Sequence, residues 1–238
     1  MVEIKFLEKS FGRLKVLRGV DLIIRKGSLT AILGPNASGK TTIIKSILGL
    51  VIPDKGEIIV DGIPVRRNWN YRNTIGYMPQ IARFPENLTI RELISMLKDI
   101  RGSNGSADGL LDLFELQPAL NQSLRNLSGG TRQKVNAVMA LMFDAPLLIM
   151  DEPTSGLDPV SLIKLKEYIV KERENGKTIL LTTHIMGLVE ELADEIVFLL
   201  EGKIYFQGSV QQLLSRYREE RVERAIAKMM EQNLLNKD

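Results

Sequence analysis

Gly34-Pro35-Asn36-Ala37-Ser38-Gly39-Lys40-Thr41 decides how the rest of this chain is read. It fits the pattern G-x-x-x-x-G-K-[ST] and sits in the required setting, with an apolar strand-like run, Leu29 to Leu33, before it and a helical run, Thr41 to Leu50, after it. The glycines let the backbone curl so that successive N–H groups point inward at phosphate oxygens. The following helix adds the positive end of its dipole to the same anion. Lys40 is expected to neutralise β- and γ-phosphates and the Thr41 hydroxyl to ligate Mg²⁺, with Thr42 next along the nucleotide-contacting stretch.

A second apolar run, Leu147 to Met150, ends in two adjacent acids, Asp151 and Glu152. A buried strand ending this way is expected to bring Asp151 beside the phosphate loop, where it can hold Mg²⁺, commonly through water. Glu152 then faces the γ-phosphate and can polarise the attacking water.

The surrounding pattern gives the frame. Val2 to Phe6 alternates, Val20 to Ile24 follows, and Lys26-Gly27 reads as a turn, so the N-terminal part is expected to pair as antiparallel strands. Glu57 to Val60 with Asp61-Gly62 is a further strand and turn. The middle of the chain is helical. Thr89 with Glu92 forms a capping box, and Ile90, Leu93, Ile94, Leu97 and Ile100 follow at helical spacing. After the Gly/Ser-rich stretch Gly102 to Gly109, two more helices are expected, Leu110 to Leu116 and Thr131 to Phe143. Strands and helices then alternate: Val160 to Glu174, Thr178 to Thr182, Ile185 to Ala193, and a hairpin of Ile196–Leu200 and Lys203–Gln207. That order predicts an α/β fold with a mostly parallel sheet, an N-terminal antiparallel β subdomain and an inserted helical lobe at about residues 82–143. A single amphipathic helix, with Val210, Leu213, Leu214 and Tyr217 on one face, is expected to begin the C-terminal extension 209–238 beyond a domain of residues 1–208.

Composition sets the class. The chain has 238 residues, 44% of them hydrophobic and 26% charged, enough apolar material for a sizeable core. No cysteine is present, so a disulfide framework and cysteine-based zinc sites are excluded. A net charge of +3, from 32 basic and 29 acidic residues, gives no argument for nucleic acid as a partner. No run approaches the roughly 20 apolar residues that cross a bilayer, and the charged start (Glu3, Lys5, Glu8, Lys9) lacks a signal-peptide core. A soluble chain is expected, and a membrane role would then require a partner.

Further motifs follow in a telling order. Gln80 lies between the phosphate loop and the helical lobe; Leu127-Ser128-Gly129-Gly130-Thr131-Arg132-Gln133 precedes a helix; Ser155-Gly156-Leu157-Asp158 follows the carboxylates; and His184, the single histidine, ends the strand Ile179 to Thr183. From about residue 2 to about residue 208 the chain resembles the nucleotide-binding subunit of ATP-binding-cassette transporters. The resemblance implies that Phe11 stacks on adenine, that Gln80 contacts Mg²⁺ and senses the γ-phosphate, and that His184 bonds the γ-phosphate. It also implies that Ser128, Gly129 and Gly130 clamp the nucleotide of a second copy in a head-to-tail dimer, with Asp158 communicating across that interface. ATP and Mg²⁺ are the implied ligands. A membrane-spanning permease is the implied partner, and the cytoplasmic face of the membrane the implied location. Two positions depart from the commonest pattern: Ala37 replaces a glycine and Thr131 a glutamine. No phosphate-binding hydroxyl, lysine or carboxylate is lost, so hydrolysis is expected to survive.

Three other classes share parts of this pattern. Non-transport clamps of the cassette family, division-associated or serving iron–sulfur assembly, share this engine. Repair or translation cassettes are disfavoured by the single cassette and near-neutral charge, and a guanine-nucleotide switch by the lack of an N-K-x-D segment. A stretch past Gly208 too short for the extra β-domain of sugar or metal-chelate importers points to an exporter-like or two-component permease system. Ile75 to Thr89 is similar to cassette subunits that serve copper-site maturation of nitrous-oxide reductase.

Overall fold

A computed structural model describes residues 1–66, 68–102 and 105–235, the side chains of 233–235 excepted. Ser103 and Asn104, in the expected Gly/Ser-rich stretch, and the last three residues of the expected extension lie outside the described residues. In chain order the elements are β1 (Val2–Phe11), β2 (Leu14–Ile24), β3 (Leu29–Leu33), α1 (Lys40–Ile47), β4 (Lys55–Val60), β5 (Ile63–Pro64), β6 (Ile75–Met78), α2 (Ile90–Arg101) and α3 (Asp108–Leu113). They continue with α4 (Gly129–Leu141), β7 (Leu147–Asp151), α5 (Pro159–Glu174), β8 (Thr178–Thr183), α6 (Met186–Leu192), β9 (Glu195–Leu200), β10 (Lys203–Ser209), α7 (Val210–Tyr217) and α8 (Val222–Leu235).

Two compact units result, one made of Met1–Trp69 with Leu180–Asp238, the other of Asn70–Ile179. In the first, β2, β1, β4 and β5 form an antiparallel sheet in that order. Its inward positions, Val2, Ile4, Leu7, Leu17, Val20, Leu22 and Ile24, are almost wholly buried, as the alternation demands. The same unit holds β3 paired in parallel with β9, Thr30 opposite Glu195 and Leu33 opposite Phe198. β10 returns antiparallel along β9, and β8 lies on the other side of β3. Every residue of β3 is buried, which is the pattern of a strand covered on both faces rather than an alternating one.

The helix after the phosphate loop is shorter than its hydrophobic run. It stops at Ile47 because Gly49 takes a left-handed conformation (φ 66), and the N–H groups of Leu50 and Val51 both turn back to the Lys45 carbonyl at 2.8 and 3.0 Å. A larger correction concerns the C-terminus. The single helix expected there is two. Arg218 adopts a left-handed conformation (φ 54) and closes α7, and Lys228 of α8 donates to the Tyr217 carbonyl at 2.9 Å. Val222, Ala225, Ile226 and Met229 of α8 are buried, and α8 packs on α6 and α7. Of the expected apolar face of α7, Leu213 and Tyr217 are buried and Val210 and Leu214 half-buried.

The second unit pairs β6 and β7 in parallel, Ile75 opposite Leu147 through Met78 opposite Met150. Helix α4 packs on β6 so closely that a Cβ on Gly76 would lie 2.3 Å from the Ala140 carbonyl oxygen; only glycine fits. The expected capping box is formed. The Thr89 hydroxyl accepts from the Glu92 N–H at 3.2 Å, and the Glu92 carboxylate accepts from the Thr89 N–H at 2.8 Å. Thr89→Ala is expected to cost about 1 kcal/mol, a fall of roughly 2–4 °C in Tm by calorimetry.

Candidate nucleotide site

In the first unit the chain leaves β3 at Gly34 and turns at once. A Cβ on Gly34 would lie 2.1 Å from the Leu199 carbonyl oxygen, so the residue must be glycine for the loop to lie against β9. Gly39 caps α1 with φ 111, and a Cβ there would lie 2.8 Å from the Leu17 side chain. The loop closes on itself through Ser38 N–H donating to the Pro35 carbonyl at 3.3 Å. Lys40, nearly buried, curls its ammonium back to donate to the carbonyls of Gly34 at 2.7 Å and Pro35 at 3.1 Å. The first turn of α1 carries no acid to compete for its positive end. The Ser38 hydroxyl is buried without a protein partner. A cationic, donor-rich loop of this kind suits an oxyanion.

Ala37 explains why glycine is usual at its position: its φ is 63, left-handed, a conformation that an L side chain adopts at a cost of about 1–2 kcal/mol. A brace invisible in the motif comes from the β9–β10 turn. Gly202 N–H donates to the Ser38 carbonyl at 3.1 Å and its own carbonyl accepts from Arg18 N–H at 2.9 Å. The sequence marks Glu201-Gly202 as a turn but carries no sign that it supports the loop. Gly34→Ala should distort this arrangement by about 1–3 kcal/mol and lower Tm by roughly 3–10 °C. A variant melting like the parent would refute the close approach to Leu199.

Phe11 ends β1 half-exposed, with the Lys9 ammonium 5.3 Å from its ring centroid. His184 follows the fully buried β8 and is exposed; beyond it, Ile185 N–H donates to the Thr183 hydroxyl at 3.0 Å and sets the turn.

In the second unit, β7 delivers Asp151 and Glu152 as expected, both buried. Glu152 has a left-handed backbone (φ 50), a strained conformation of the kind that clusters at working sites. The parallel register ends with Met78 opposite Met150, and Pro79-Gln80 and Asp151-Glu152 follow directly in the two chain segments. Gln80 is exposed. The segment is anchored by Asn136 of α4, a buried residue missed in the sequence, whose amide donates to the Pro79 carbonyl at 2.7 Å and to the Gln133 side chain at 3.2 Å. The Tyr77 hydroxyl is pushed up to about 12, by burial first and by the negative Asp151 second, so it stays a neutral phenol at any physiological pH.

Ser128 caps α4, leaving Gly129 and Gly130 as its exposed to half-buried first residues, again with no acid in the first turn. A Cβ on Gly130 would lie 3.2 Å from the Gly156 carbonyl oxygen, so this loop and the Ser155–Asp158 segment lie close together. Asp158 caps α5. It accepts from the Ser161 N–H at 2.9 Å and hydroxyl at 2.7 Å, and pairs with Lys134 at 2.9 Å. These partners, Ser161 first and Lys134 after it, hold its carboxyl well below the usual carboxylate range.

Among the described residues no group of three or more His, Cys, Asp or Glu could hold a metal ion. A cation here would rely on hydroxyl, amide and carboxylate oxygens with water and phosphate, the donor set that suits Mg²⁺.

The phosphate loop and its fold define a P-loop nucleotide hydrolase. Residues 17–155 match the sequence profile of the family described as ABC transporter. The chain is 33% identical over 222 residues to a Nod factor export ATP-binding protein of Rhizobium sp. (strain N33), covering 91% of this chain and 73% of that protein. Its fold matches the ATP-binding subunit of an ABC transporter with a TM-score of 0.91 at 29% identity, over 97% and 99% of the two chains. It also matches a dimeric post-hydrolysis ATP-binding cassette bound to ADP and phosphate with a TM-score of 0.78 at 26% identity, over 88% and 99%. The chain belongs to the ABC transporter family, as an ATP-binding subunit and ATPase.

Proposed function

We propose that two copies of this chain hydrolyse ATP as a head-to-tail dimer and so drive export through a separate membrane-spanning permease, from the cytoplasmic face of the membrane. In this reading residues 1–208 are the cassette, with a helical lobe at about 82–143, and 209–238 a helical extension. The observation that carries it is the phosphate loop, with the Lys40 ammonium held between the Gly34 and Pro35 carbonyls at the open end of α1. Gly34 through Thr42 hold the phosphates, Phe11 stacks on the adenine, and Glu152 draws a proton from the attacking water. His184 and Gln80 contact the γ-phosphate side. Ser128, Gly129 and Gly130 reach the nucleotide held by the other copy, and Asp158 fixes the neighbouring loop. Thr41, Gln80 and Asp151 would hold Mg²⁺, which supplies charge neutralisation at the phosphates.

ATP joins the copies because its γ-phosphate is shared between Lys40 of one and Ser128 of the other; hydrolysis removes that bridge. A permease can use the motion only by gripping the two states differently. Ile81, exposed at 71% beside Gln80, is a candidate for that grip. Among the described residues no helix is long and apolar enough to cross a membrane. The similarity to a Nod factor export protein supports the export direction.

Affinity purification of the tagged chain from mild-detergent membranes tests the reading. A stoichiometric partner with several apolar spans is the expected result. Recovery alone or with only soluble partners would remove the permease and leave an ATP-driven clamp.

A further inference from the structure

The departure at Thr131 has a chemical consequence. Ser128 Oγ accepts a hydrogen bond from the Thr131 N–H at 3.2 Å, the ordinary bond of a helix cap. The same oxygen lies 2.8 Å from the Thr131 hydroxyl, and either oxygen can be the donor. A serine hydroxyl has one proton and two lone pairs. If Ser128 donates to Thr131, its proton is spent and an incoming phosphate oxygen meets a lone pair. If Thr131 donates to Ser128, both lone pairs are filled and the Ser128 proton is the one valence left to offer. An anion selects the second arrangement, and the chained hydroxyls polarise each other in the direction it needs.

We propose that Thr131 is a positioning residue: its hydroxyl fills the second lone pair of Ser128 and turns the Ser128 O–H outward as a donor to the γ-phosphate held by a second copy. The inference rests on the head-to-tail reading above. Thr131 does this from a fixed place. It is half-buried in the first turn of α4, three residues from Lys134, which is tied to Asp158 at 2.9 Å. A glutamine there has no hydroxyl one bond from Cβ and cannot make the same contact.

The test is ATP-dependent dimerisation of the full chain, followed by sedimentation velocity with Mg²⁺ and ATP in a Glu152→Gln background. The variants are Ser128→Ala, Thr131→Val and Thr131→Ser. Thr131→Val keeps the branched shape and the cap N–H, so its melting temperature should stay near the parent's. Its dimer Kd should rise about 5-fold per site, or about 25-fold for the two sites of a symmetric dimer. Thr131→Ser should restore dimerisation to within about 2-fold of the parent. If Ser128→Ala weakens the dimer and Thr131→Val does not, the positioning role is wrong and the head-to-tail reading stands. If Thr131→Ser is as weak as Thr131→Val, a hydroxyl at this position does not restore the dimer and the proposal falls. If Ser128→Ala dimerises like the parent, the head-to-tail reading fails first and takes the inference with it.

Discussion

Glu152→Gln is expected to slow ATP hydrolysis about 10²- to 10⁴-fold while leaving nucleotide binding in place, the range usual for loss of a general base. The substitution keeps the size and shape of a side chain that is only 5% exposed, at a left-handed backbone position that glutamine tolerates no worse than glutamate. What it removes is the basic oxygen that accepts a proton from water. The phosphate loop belongs to a different stretch of chain and is untouched, so ATP should still bind and the ATP-joined dimer should accumulate. Phosphate release measured in steady state, beside equilibrium titration with a fluorescent ATP analogue, separates the two effects. Hydrolysis at the parent rate would assign the base to another residue.

Lys40→Ala should instead lose nucleotide affinity. The ammonium is nearly buried and rests on two carbonyls of its own loop, at 2.7 and 3.1 Å, so it is already in place before a phosphate arrives. Hydrogen bonds to a charged group contribute about 1.5–3 kcal/mol, which corresponds to a fall in affinity of about 10- to 100-fold. Alanine is a good helix former at the start of α1, and the Gly34 and Pro35 carbonyls can turn to water, so the fold should survive. Unchanged ATP binding by a folded variant would refute the assignment of the loop.

The two substitutions report on different halves of the chemistry. One removes a proton acceptor and is read in turnover; the other removes a cation and is read in affinity.

Much of this protein is legible in its sequence, because the features involved are local. The phosphate loop is eight consecutive residues whose glycines set the backbone. The mostly apolar run of β3 and the Thr89/Glu92 capping box also carry their physics within a few residues. The adjacent acids at the end of β7 could be found because a buried strand ending in two carboxylates is rare without a task. Only the tertiary structure could decide what joins distant segments. Asn136 anchors Pro79 across 57 residues, and Gly202 braces Ser38 from the far side of the chain. Backbone conformation is a second such matter. Nothing in the residue names says that Glu152 is left-handed, or that a left-handed Arg218 breaks one expected helix into two. A short motif encodes its own dihedrals and donors; a partner fifty or more residues away is chosen by the fold, where burial leaves a carbonyl in need of a donor and the nearest side chain supplies it.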